Sequence, residues 1–99
     1  MEDLTWKIIK DYDNYMVSEN GLIKNTKTNR ILKPGFAKGY YSVGLSKNSI
    51  KKTFIIHRLV AESFIENPLN KPCVDHIDRN ILNNHISNLR WASRNENLR

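Results

Sequence analysis

Residues 73–99 read C-V-D-H-I-D-R-N-I-L-N-N-H-I-S-N-L-R-W-A-S-R-N-E-N-L-R, and the fold turns on this stretch. It opens with a short β-favouring run that ends in the pair Asp75-His76. A polar loop dense in asparagine follows, with Asn80, Asn83, Asn84 and Asn88. Leu89-Arg90-Trp91 is a second short apolar run. Ser93 then starts a helix, because serine is a good N-cap and Glu96, three residues on, completes a capping box. The order is strand, long loop, strand, helix.

Asp75 and His76 carry the chemistry of the stretch. An imidazole titrates near neutral pH, so His76 suits a general base. Hard divalent cations take carboxylate and carbonyl oxygens, so Asp75 suits a metal ligand. Base and cation together are what phosphodiester hydrolysis needs. Adjacent strand residues point to opposite faces. Diverging groups could still straddle a phosphorus atom attacked on one side and left on the other. The alternative is that the pair merely forms a turn, with His76 packed and satisfied locally.

Outward from this stretch the chain changes character. Asn67 to Pro72 form a stiff connector, and a helix over Leu59, Val60, Ser63 and Phe64 precedes it. Arg58 and Glu62 occupy its other side, and it should stop before Pro68. Residues 1–56 read as short strands between turns: Trp6-Ile9, Tyr15-Val17, Leu22-Lys24, Ile31-Lys33, Tyr40-Leu45 and Thr53-Ile56. Asn20-Gly21, Thr28-Arg30, Pro34-Gly35 and Lys47-Ser49 supply the turns. The fold class expected is α+β: a small antiparallel amino-terminal sheet, then a ββα unit. The division expected is a β module over 1–56 and a helix plus site module over 57–99.

Ninety-nine residues make one domain with a small core. The net charge of +6 admits a solvated surface or a nucleic-acid partner, whose phosphates attract Lys and Arg. The single cysteine, Cys73, excludes an internal disulfide and a Cys-rich zinc site, and is expected to pack as a small apolar residue. No apolar run approaches the roughly 20 residues of a membrane span, and no signal peptide opens the chain. No membrane partner is expected. The expected location is intracellular, in a bacterial cytoplasm or whichever host compartment holds the target.

D-H-I-D-R-N at 75–80, N-N at 83–84, N-L-R-W at 88–91 and E-N at 96–97 resemble the HNH motif of phage and viral HNH homing endonucleases. H-R-L-V-A-E-S-F-I at 57–65 and N-P-L-N-K-P at 67–72 resemble that family's lead-in. W-K-I-I, Y-M-V-S-E-N-G-L-I and G-Y-Y-S-V-G-L resemble its NUMOD-type amino-terminal module. The resemblance implies a ββα-metal fold at 73–99, with His76 as general base and Asp75 as metal ligand. It places the second ligand at Asn97, where the family's last letter would be histidine. Asn95 is the rival, and two residues apart on a helix means only one can face Asp75. Asn88 would tie the loop to the strand bearing His76 through its amide.

The expected activity is cutting or nicking of double-stranded DNA with Mg²⁺ or Mn²⁺ and no zinc, leaving 5′-phosphate and 3′-hydroxyl ends, by a monomer. Candidate nucleic-acid contacts are His57, Arg58, Arg79, Asn80, Arg90, Arg94, Lys33 and Lys38; for Arg79, Arg90 and Arg94 the equal alternative is plain surface charge. The rivals are a catalytically silent DNA-binding module of the same fold, and an RNA-binding or RNA-cleaving domain. Trp91 is expected in the core, His57 at a structural hydrogen bond, and His85 solvated or near DNA.

Overall fold

The structure is a computed structural model that describes residues 4–97. Three small antiparallel sheets surround one helix. The first joins β1 (Trp6–Ile9), β2 (Tyr12–Ser18) and β3 (Ile23–Asn25) in that order. The second joins β4 (Gly35–Ala37), β5 (Tyr40–Lys47) and β6 (Ile50–Ile55). The third pairs β7 (Cys73–His76) with β8 (Leu89–Ala92). The class is α+β with antiparallel sheets.

Two-residue turns close the second sheet. Lys38-Gly39 and Asn48-Ser49 all take positive φ, the pattern whose twist suits tight hairpins. Val43 and Leu45, two apart on β5, are both buried, as the period of a strand requires. β6 is an outer strand, exposed over Ile50–Thr53, and Lys51 and Lys52 discourage pairing with a further strand.

Two sequence expectations change here. Ile31-Lys33 is not a strand: Ile31 makes one isolated bridge to Lys24, and the Leu32 N–H donates to the Ile23 carbonyl at 2.8 Å. Pro34-Gly35 does not end the ladder, because Gly35–Ala37 becomes β4 by pairing with Ser42, Tyr41 and Tyr40. That strand is specified by its partner more than by its own three residues.

The helix α1 (Ile56–Phe64) starts directly from β6 without a side-chain cap. Its buried residues are Ile56, His57, Leu59, Val60 and Ala61, while Arg58 and Glu62 face out. It touches strands of all three sheets, and the core forms around it from Ile9, Val17, Ile23, Val43, Leu45, Val74 and Leu89. Each such aliphatic side chain taken from water stabilises by about 1.5–3 kcal/mol. The helix ends with the Ile65 N–H on the Ala61 carbonyl, short of Pro68. The connector is then closed by Asn67, whose side chain donates to the Lys71 carbonyl at 2.8 Å and accepts the Lys71 N–H at 2.9 Å.

Candidate active site

In β7 and β8 the register sets Asp75 opposite Arg90 and His76 opposite Leu89. Val74 and His76 are buried, while Cys73 and Asp75 are half-buried on the other side of the strand. Capping fixes α2 (Arg94–Asn97) behind this hairpin. The Ser93 N–H donates to Glu96 Oε1 at 2.8 Å, and the Glu96 N–H returns to Ser93 Oγ at 3.1 Å. Lys71 Nζ also holds Glu96 Oε1 at 2.8 Å. These donors, Lys71 first, hold the Glu96 carboxyl at about 2, well below the usual range. The capping box is therefore charged at any ordinary pH and sets where α2 begins.

Asp75, His76 and Asn97 line one cleft with Tyr40, Arg79 and Ile81, of about 170 Å³. Asn95 lies on the same short helix and does not line it. His76 is 5% exposed, and its Nε2 lies 2.8 Å from Asn84 Oδ1. The ring also packs against His57 at 4.5 Å between centroids and lies nearly parallel to Tyr40 at 6.0 Å. Asp75 Oδ2 accepts from Arg90 Nε at 3.1 Å. The carboxylate is thus oriented by the residue across the ladder.

The loop between the strands is fastened by its own amides. Asn88 Oδ1 accepts the Asp78 N–H at 3.0 Å; Asn88 Nδ2 donates to Asp78 Oδ1 at 2.8 Å and to the Asn83 carbonyl at 3.0 Å. The Ile77 N–H adds a bond to the Asn88 carbonyl at 2.7 Å. Asp78 Oδ1 also accepts the Asn80 N–H at 2.7 Å. These bonds, Asn80 first and then Asn88, hold the Asp78 carboxyl below its ordinary value. His85 caps a 3-10 turn at Ile86–Asn88, accepting the Ser87 N–H through Nδ1 at 3.1 Å.

The remaining candidates divide. His57, 8% exposed, sits at the start of α1 between Tyr40 and His76. Burial, then the neighbouring His76 and Arg58, push its imidazole down to about 4, so it is neutral near pH 7 and carries no charge to attract a phosphate. Arg58 is committed to the protein: Nη1 donates to the Pro72 carbonyl at 2.8 Å and the guanidinium lies over Trp91. Arg90 is held by Asp75. Asn80 shapes the loop by accepting the Leu82 N–H at 3.1 Å. Arg79, Arg94, Lys33 and Lys38 are exposed, and Arg79 borders the cleft. Trp91 is half-buried, with its indole N–H on the Ile65 carbonyl at 2.9 Å. The sequence reading missed Tyr40, Asp78 and the specific part of Asn84. Only Asp78 had a local signal, the Asp-x-Asn spacing of an Asx turn.

The donor types here are ones that could hold a hard cation. Asp75 and Asn97 offer a carboxylate and an amide oxygen, both hard, and the cleft has room for a hydrated ion beside them. Among the described residues no three His, Cys, Asp or Glu side chains gather as a metal-holding group. The donors therefore suit an ion that keeps most of its water, and they lack the soft ligands of a closed zinc site. No helix among the described residues is long and apolar enough to cross a membrane.

Comparison with known proteins agrees with this layout. Residues 5–46 match the NUMOD4 motif, and residues 54–99 match the HNH endonuclease model. An uncharacterized HNH endonuclease of Acanthamoeba polyphaga mimivirus, L245, is 50% identical over 92 residues, which is 93% of this chain and 28% of that protein. The DNA endonuclease I-HmuI of Bacillus phage SP01 is 41% identical over 97 residues, 96% of this chain and 56% of that one. The H-N-H endonuclease F-TflI of Escherichia phage T5 is 35% identical over 94 residues, 92% of this chain and 48% of that one. A solved structure of I-HmuI, described as a homing endonuclease binding and cleaving DNA, superposes with a TM-score of 0.87 at 42% identity, over 95% of this chain and 55% of the other. The chain thus spans from about a quarter to just over half of these relatives. A NUMOD4 motif thus stands ahead of an HNH endonuclease motif in this chain, which is similar in sequence and fold to a phage HNH homing endonuclease.

Proposed function

We propose that this protein is a metal-dependent endonuclease or nickase that hydrolyses phosphodiester bonds of double-stranded DNA. The observation that carries the reading is one cleft in which a buried, oriented imidazole, His76, meets the oxygen donors Asp75 and Asn97. Asp75 and Asn97 would hold Mg²⁺ or Mn²⁺, which supplies charge stabilisation at the phosphate and at the leaving oxygen. His76 accepts a proton from the attacking water as its oxygen bonds to phosphorus. The bond from phosphorus to the 3′ oxygen breaks, that oxygen takes a proton from solvent, and the ends are 5′-phosphate and 3′-hydroxyl. Arg90 keeps the Asp75 carboxylate in one orientation and would share it with a bound cation, which argues for modest rather than tight metal affinity.

Residues 1–56 form the DNA-holding module in this reading, and 57–99 the cutting module. Lys33 and Lys38 lie in the second sheet region, and the Lys38-Gly39 turn leads straight into Tyr40 at the cleft. Arg79 and Arg94 are the other exposed cations nearest the site in sequence. His57, buried beside His76, is a packing partner in this scheme. The test is plasmid cutting with Mg²⁺, Mn²⁺ or a chelator, followed by enzymatic analysis of the ends. Cutting only with a divalent cation, leaving ends that ligate, supports the reading. Tight DNA binding with no cutting under any cation would favour the silent module.

A further inference from the structure

The asparagine-rich loop contains one amide that neither the ladder nor the loop consumes. Asn84 is 7% exposed and does not join the Asp78–Asn88 network. Its side-chain oxygen instead faces His76 Nε2 at 2.8 Å. An amide oxygen can only accept, so the ring nitrogen it faces carries the proton. The neutral imidazole then has its lone pair on Nδ1.

The amino-terminal sheet holds this amide in place. The turn after β2 passes directly beneath Asn84: a Cβ built on Gly21 would lie 2.9 Å from Asn84 Cβ and 3.3 Å from Ile56 Cγ2. Gly21 also has φ +88°, which disfavours any side chain. Two residues beyond Asn84, the Ile86 N–H donates to the Glu19 carbonyl at 2.8 Å. Buried Ser18 closes the turn from within, its Oγ accepting the Leu22 N–H at 2.9 Å and donating to Asn20 Oδ1.

We propose that Asn84 is a positioning residue for His76, fixing the tautomer with Nε2 protonated and Nδ1 left to take the proton of water, and that the Gly21 turn holds Asn84 to this task. The inference rests on the proposed reading of His76 as base. It adds a connection between the amino-terminal module and the site: β2 and β3 shape the reactive end of a residue far away in sequence.

The test reads the ring directly. ¹⁵N spectra of the metal-free 99-residue chain, at a pH where the imidazole is neutral, distinguish a protonated ring nitrogen from a bare one. Wild type should show the proton on Nε2. Asn84→Leu, checked by circular dichroism to be folded, should show averaged nitrogens. Its single-turnover nicking should be about tenfold slower, a fraction of full general-base loss, with unchanged DNA affinity. Asn84→Asp keeps an accepting oxygen and should restore the Nε2 proton. Gly21→Ala should disturb the same signals from the other module. A proton on Nδ1 in wild type, or an unaltered pattern in folded Asn84→Leu, overturns the inference whatever His76→Ala does to cutting. If the tautomer is as assigned but His76→Ala cuts at the wild-type rate, the reading of the base fails instead.

Discussion

Removing the Asn88 side chain should separate the role of the loop from that of the chemistry. Asn88 is 7% exposed and makes three side-chain hydrogen bonds, two to Asp78 and one to the Asn83 carbonyl. A typical bond of this kind contributes about 1 kcal/mol net. Asp78 and Asn83 lie near solvent, so water recovers part of what Asn88→Ala releases. The expected loss is about 2–3 kcal/mol, or a fall in Tm of roughly 10–20 °C for a chain of this length. Urea unfolding followed by circular dichroism measures it, with an unchanged slope confirming that the denatured state is the same. Nicking should slow in parallel, since Ile77, next to His76, is tied to the Asn88 backbone. Asn88→Asp sharpens the case. It keeps the acceptor for the Asp78 N–H but sets an anion where an amide now donates to the Asp78 carboxylate at 2.8 Å. It should be at least as destabilising as alanine at pH 7 and recover as pH falls through the carboxylate range. A loss under about 0.5 kcal/mol for Asn88→Ala would refute the loop's dependence on this residue.

Three further outcomes follow from the same geometry. His57 is held at about 4 against an ordinary 6.5, so the unfolded chain takes up a proton that the folded chain refuses as pH drops. Stability is kept above about pH 6.5 and eroded between there and 4, by about 1–2 kcal/mol at pH 4.5 once the ring's partial contact with solvent is allowed for. His57→Leu should flatten that slope in urea midpoints at pH 7 and 4.5, and an unchanged slope would remove His57 as its cause. Mn²⁺ binding followed by calorimetry should weaken at least tenfold in Asp75→Ala and in Asn97→Ala, and unchanged affinity in Asp75→Ala would take that carboxylate out of the metal site. DNA affinity should fall steeply between 50 and 200 mM salt, as phosphate-tracking lysines require; a salt-insensitive complex would contradict the binding role given to Lys33, Lys38 and their neighbours.

Much of the carboxy-terminal half was legible because its signals are local. Ser93 and Glu96 lie one helical turn apart, and their capping box is present bond for bond. Leu59 and Val60 fall on the buried stripe that their spacing foretold. The register of β7 on β8 was not legible, and with it the Asp75–Arg90 pair, since nothing in sequence states which residues face across a ladder. Pro34-Gly35 reads as a turn that ends a strand, and only pairing with β5 makes Gly35–Ala37 a strand. Ile31-Lys33 has the apolar look of a strand and yet makes one bridge. Asn84 shows the limit best. Its identity was on the page among several asparagines, but its use depends on His76 on one side and Gly21 on the other.

The most direct test of the account is single-turnover nicking of supercoiled plasmid by wild type and His76→Ala at saturating Mg²⁺. His76 makes no metal contact in the proposed scheme, so the variant should bind DNA and metal nearly as wild type does. It should cut about 10²–10⁴ times more slowly, the usual cost of losing a general base. Cutting at the wild-type rate would contradict the central claim that the buried imidazole of His76 activates the water.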